Sequence, residues 1–199
     1  NFILEQIAGD LLPNDSIEQR RDQVAGLGFL SVGPTMLACD DPDKMRRDIV
    51  DEQMDTTGRA FMGMTLGCAR CHDHKFDPVS IEDYYGLAGI FLSTKTLTKY
   101  TVVAHYHQYD LTDSAVSERW EEIAELEKKR GEKKTPEEEK KVLGERIAGL
   151  KKDLPPRYKV MGVTEDTVTD TKVHLRGNYM TLGKDVPRRV LPVIAGFDQ

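Results

Sequence analysis

Two cysteines three positions apart, followed at once by a histidine, form the segment Cys68-Ala69-Arg70-Cys71-His72. No other stretch constrains the fold as strongly. Two thiols at this spacing on a helical turn reach the two vinyl groups of a porphyrin, and the adjacent imidazole falls beneath the iron. The pattern is that of c-type haem attachment. It predicts one covalent haem c, bound through Cys68 and Cys71, with His72 as the proximal iron ligand. A redox dithiol would sit at a strand-to-helix turn of a βαβ unit, whereas an amphipathic helical pattern precedes this CxxC. Zinc could draw on Cys68, Cys71, His72 and His74, but structural zinc sites take their second ligand pair from far along the chain, and no second CxxC exists.

The rest of the sequence builds helices around that segment. Residues 2 to 12 and 16 to 27 read as two short helices separated by Pro13-Asn14-Asp15. Asp41 and Pro42 supply an N-cap and a first helical position. The stripe Val50, Met54, Thr57, Phe61, Met64 or Thr65, then Cys68 predicts one long helix that delivers Cys68 to a buried face. Gly58, Gly63 and Gly67 predict close packing of a second helix or of a flat group such as a porphyrin. Ser80 and Asp83 open a further helix to about Leu92, and residues 97 to 111 lean towards a strand.

From Ser114 to Leu154 the composition turns to charged helix formers. Gly131 ends one helix, and Thr135, Pro136 and Glu138 start another as N-cap, first-turn proline and capping-box acid. Two β-rich stretches follow, 158 to 163 and 171 to 175. The fold class expected is mainly α with a small β element. It divides into a helical haem c-binding domain over 1–112, a charged antiparallel helical hairpin inserted at 113–154, and a β-rich segment over 155–199 packing back on the haem domain.

A formal charge of -6, with Lys and Arg placed largely beside Glu and Asp, argues against nucleic acid as a partner. No run reaches the roughly 20 apolar residues of a membrane helix, so no transmembrane segment is expected. Asn1 and the amphipathic pattern that begins at Phe2 suggest an internal or processed portion of a longer polypeptide. In bacteria, covalent haem is attached outside the cytoplasm, so a periplasmic or secreted location is expected. Cys39 stands apart from the motif and reads as a small buried hydrophobe.

The opposite face of the haem decides between electron transfer and catalysis, because a second His or Met closes the iron and an open position permits ligand chemistry. His74 lies too close to His72 to cross over and reads as a hydrogen-bonding residue. His105 and His107 would share one side of a strand, and His174 lies in the later β-rich stretch. Met36, Met54, Met62, Met64 and Met180 compete as ligands but read better as core. Asp73 and Asp77 read as loop hydrogen-bonding groups rather than cation ligands.

Three runs carry a family resemblance: 5–13, 51–58 and above all Cys68-Ala69-Arg70-Cys71-His72-Asp73-His74-Lys75-Phe76-Asp77-Pro78. The chain resembles the planctomycete-type cytochrome c-like domain family, and Val102 to His107 and Val173 to Asn178 look like that family's later motifs. The resemblance implies a secreted haem protein that is part of a longer polypeptide. It also raises His107 and His174 as candidate distal ligands or haem-pocket residues.

The function expected is a c-type cytochrome domain that transfers electrons to a redox partner protein or to adjacent domains of the same polypeptide. The alternative is a haem-dependent oxidoreductase with an open distal site, peroxidase-like or oxidising a carbohydrate-related substrate, with Arg70 or Arg176 assisting. A third reading is an assembly module whose hairpin docks partners while the haem holds the fold.

Overall fold

Pro13 breaks the opening apolar run into two helices, α1 (Phe2–Ala8) and α2 (Ile17–Gly26), each prolonged by a 3-10 turn. The Ser16 hydroxyl caps α2 by accepting the Gln19 N–H at 3.1 Å. The computed structural model describes residues 1–195. In it, helix α3 (Pro42–Thr57) starts where the sequence predicts, with the Asp41 carboxylate accepting the Lys44 N–H at 2.9 Å. Its buried face carries Met45, Ile49, Val50, Gln53, Met54 and Thr57. Helix α4 (Ile81–Leu92) opens with a full capping box between Ser80 and Asp83 and packs on α3.

The described residues divide into two units, Asn1–Gln108 with those from Met161 to Ala195, and Tyr109–Val160. Among the described residues six short strands pair two by two: β1 (Thr94–Lys95) with β4 (Thr164–Glu165), β2 (Gln108–Asp110) with β3 (Lys159–Met161), and β5 (Thr171–His174) with β6 (Leu182–Val186). In the first unit, Met45, Ile49, Leu97 and Ala104 form a buried cluster, and Cys39 packs partly buried against it. The second unit is a helical hairpin, α5 (Ser114–Gly131) and α6 (Glu137–Lys151). It is closed by buried Ile123, Leu143 and Ile147 and laced by Arg146–Glu122, Lys151–Glu127 and Lys129–Glu139 ion pairs. Helices carry about half of the chain, so the mainly α class with a small β element holds.

Four expectations need correction. The long helix does not run on to Cys68. It ends at Thr57, a π-helical turn follows over Gly58–Met62, and Gly63 at φ 66° reverses the chain. A separate 3-10 turn, Leu66–Arg70, then buries Leu66 and Ala69, which leaves Cys68 exposed. Gly58 is small because Leu66 folds back on it: a Cβ there would meet Leu66 Cγ at 2.7 Å. No porphyrin is needed to explain that glycine. The strand expected over 97–111 reduces to a Leu97–Tyr106 bridge and β2, so His105 and His107 share no continuous strand. Thr135 does not cap α6, which begins at Glu137 with Pro136 at the N-cap position and no side-chain cap, while the Thr135 hydroxyl donates to the Lys129 carbonyl at 2.7 Å.

Candidate functional site

The cysteine segment sits in a loop pinned by His74, whose side chain is only 5% exposed. His74 Nδ1 accepts the Phe76 N–H at 3.1 Å and the Asp77 N–H at 2.6 Å, while Nε2 lies 3.0 Å from Thr65 Oγ1. An imidazole nitrogen that accepts from the backbone carries no proton, so the proton sits on Nε2 and points at Thr65. Asp77 accepts the Thr65 N–H at 3.2 Å, and Asp73 accepts the Ile81 N–H at 2.8 Å at the start of α4. Both aspartates thus serve the loop. Among the described residues, no group of three or more His, Cys, Asp or Glu side chains is placed to hold a metal ion.

On the outside of this loop stand Cys68, Cys71 and His72, all three exposed. His72 Nδ1 lies 2.7 Å from the Asp73 carbonyl, which fixes its proton there and leaves the Nε2 lone pair unused by that bond. Phe76, next in the loop, is 82% exposed, as large an apolar surface as the segment offers.

Behind the loop lies a polar network in which only His174 and Arg70 were singled out as site residues from the sequence. Asp51 receives the Tyr84 hydroxyl and the Arg70 guanidinium. Burial pushes the Asp51 carboxyl above its usual range. Burial first, and then the charge of Asp51, raises Tyr84 as well. The Tyr85 hydroxyl donates to the Arg70 carbonyl at 2.9 Å and lies 3.5 Å from the His174 carbonyl, and its ring sits 4.7 Å from the His174 ring. Arg47 and Asp51 stand four residues apart on α3, on the face turned to α4, and that polar pair within an apolar stripe is the signal that could have found them. Both line a small cleft with Tyr84, Tyr85 and His174.

The two distal candidates have different settings. His174 is buried, with Nε2 2.7 Å from Arg47 Nη1. Burial, then Arg47 and Arg70, lower its pKa to about 4. Through Tyr85 and Arg70 it belongs to the same structure as the cysteine segment. His107 is half-buried; its backbone N–H donates to the Thr96 carbonyl at 2.8 Å, its backbone carbonyl accepts from the Gly162 N–H, and burial lowers its pKa, with Lys95 adding to the shift. The structure brings His174, not His107, into the network around Arg70. Arg176, the other arginine singled out, lies in the turn Leu175–Gly177 that reaches Cys71.

A family model described as PSCyt2, protein of unknown function (DUF1549), matches residues 1–96, slightly under half of the chain. No curated protein and no solved structure matches. The family match corrects the resemblance drawn from the sequence. The segments over 5–13, 51–58 and 68–78 fall within the matched residues, and nothing in that match indicates a cytochrome c family. The stretches that contain His107 and His174 lie outside the matched residues, so their standing now rests on geometry alone.

Proposed function

We propose that this chain is a c-type cytochrome module, binding one haem through Cys68 and Cys71 with His72 as proximal ligand and passing electrons to a partner or to another part of the same polypeptide. The observation that carries this reading is His72, held by Asp73 with its Nε2 lone pair uncommitted to that bond, beside two exposed thiols. Metal-bound histidines are oriented by such a second hydrogen bond, which fixes the tautomer and raises the basicity of the ligating nitrogen. The donor set therefore fits the group. When bound, haem supplies a one-electron iron couple whose potential depends on the axial ligands and on burial. This chain's own residues anchor it, orient the imidazole, and offer exposed Phe76, Leu175 and Met180 as apolar surface. Covalent attachment carries with it an extracytoplasmic location. Among the described residues no helix is long and apolar enough to cross a membrane.

One observation favours the second reading, a haem-dependent oxidoreductase with an open distal position. His174 Nε2 already accepts from Arg47, and that nitrogen would reach iron only by giving up the bond. Spectra of the haem-loaded protein, its H174Q variant and its H72A variant test both readings. A low-spin spectrum lost in both variants supports electron transfer with His174 as the sixth ligand. High-spin ferric iron that ignores H174Q supports the open site. A spectrum unchanged in H72A removes His72 as ligand and with it the basis of either reading.

A further inference from the structure

The turn Leu175–Gly177 reaches back to the cysteine segment, and Gly177 is the residue that lets it do so. Its φ is 73°, in the left-handed region, and a Cβ at that position would lie 2.5 Å from Cys71 Sγ, well inside van der Waals contact. Arg70 Nη2 donates to the Gly177 carbonyl at 3.4 Å, and the Tyr85 hydroxyl bridges the carbonyls of Arg70 and His174. The turn also closes on itself, with the Asn178 N–H on the Leu175 carbonyl at 3.1 Å and the Leu175 N–H on the Thr181 carbonyl at 2.9 Å. Arg176 is left-handed as well, at φ 56°, a conformation that a non-glycine residue adopts at a cost. Loop and turn together set a backbone wall against the Cys71 sulfur, and Cys71 is otherwise exposed.

We infer that Gly177 is a positioning residue for the second thioether bond, because the wall it forms fixes the side from which the Cys71 sulfur receives a vinyl group. The inference rests on the haem reading above. In the bond-forming step the thiol adds across the vinyl double bond. A C–S bond forms at one carbon, the thiol hydrogen ends on the other, and no outside oxidant or reductant is consumed. A side chain at position 177 pushes the turn or the sulfur away and costs the Cys71 bond while leaving the Cys68 bond in place.

The test produces wild type, G177A and G63A with a bacterial c-type maturation system and maps thioether bonds by mass spectrometry of proteolytic peptides. Gly63 is the matched control: its φ is 66°, yet a Cβ there meets nothing within 4 Å, so G63A carries left-handed strain without the clash. The expected result is both bonds in wild type and G63A, and loss of the Cys71 bond alone in G177A. Equal Cys71 occupancy in G177A and G63A overturns the inference while the haem reading stands. Wild type carrying no haem overturns the haem reading itself. Should G177A not fold by circular dichroism, thiol alkylation of the wild-type apoprotein decides, because the wall covers Cys71 and not Cys68. Cys68 is expected to react faster than Cys71, whose sulfur Gly177 covers on one side, and equal rates overturn the inference.

Discussion

Arg47 Nη1 lies 2.7 Å from His174 Nε2, so a guanidinium that keeps its proton at any working pH donates to that nitrogen. His174 is thereby held neutral, its own proton on Nδ1. Its pKa falls to about 4 through burial first and the two arginines second, against an ordinary 6.5. The unfolded chain therefore binds a proton between these values that the folded chain refuses. Stability from this site is complete above about pH 6.5 and is lost as pH falls towards 4. Urea unfolding midpoints at pH 7 and pH 5 check this: wild type is expected to lose more than H174Q, whose amide accepts from Arg47 without titrating. Equal losses would remove His174 as the titrating group. Asp51, shifted upward by burial, is common to both proteins and cancels in the comparison.

Asp51 holds two partners at once, the Tyr84 hydroxyl and the Arg70 guanidinium, and it is the point at which α3 is tied to both the cysteine segment and α4. D51A strands both donors in a partly buried site and is expected to cost about 2–3 kcal/mol, whereas Y84F removes one neutral donor and costs about 1 kcal/mol. Chemical denaturation at pH 7 measures both. A D51A loss no larger than that of Y84F would mean that Arg70 finds water without penalty.

His74 is expected to act through the loop rather than through iron. H74A removes the acceptor for two backbone N–H groups and should destabilise the fold by about 1–3 kcal/mol. Amide exchange at Phe76 and Asp77 should quicken, since their shared acceptor is gone. In the haem-loaded protein the spectral type should be that of wild type, because the imidazole faces Thr65. A changed axial-ligand spectrum would make His74 a ligand and contradict this placement.

Much of this was legible in the sequence because local chemistry decided it. Asp41 with Pro42, and Ser80 with Asp83, fixed two helix starts at the residues where they occur. His74 serves the loop, as its closeness to His72 suggests, and so do Asp73 and Asp77, two carboxylates without the further oxygen ligands a cation needs. What was not legible depended on the chain folding back on itself. The stripe from Val50 to Cys68 kept a helical period through a stretch where Gly63 turns left-handed, and periodicity cannot report a sign of φ. Leu66 against Gly58 and Gly177 against Cys71 are tertiary contacts across 8 and 106 residues of sequence. The Asp51 network escaped for the same reason. Its members are ordinary polar and aromatic residues until α3, α4 and the turn after β5 bring them together.

The most direct measurement of the central claim is covalent haem on the purified chain after production with a bacterial c-type maturation system, read as haem that stays with the polypeptide through acid-acetone extraction. One haem per chain is expected in wild type, retained through extraction and lost in C68A/C71A. Haem that extracts freely from wild type, or a chain that emerges without haem while a control cytochrome is loaded in the same cells, would contradict it.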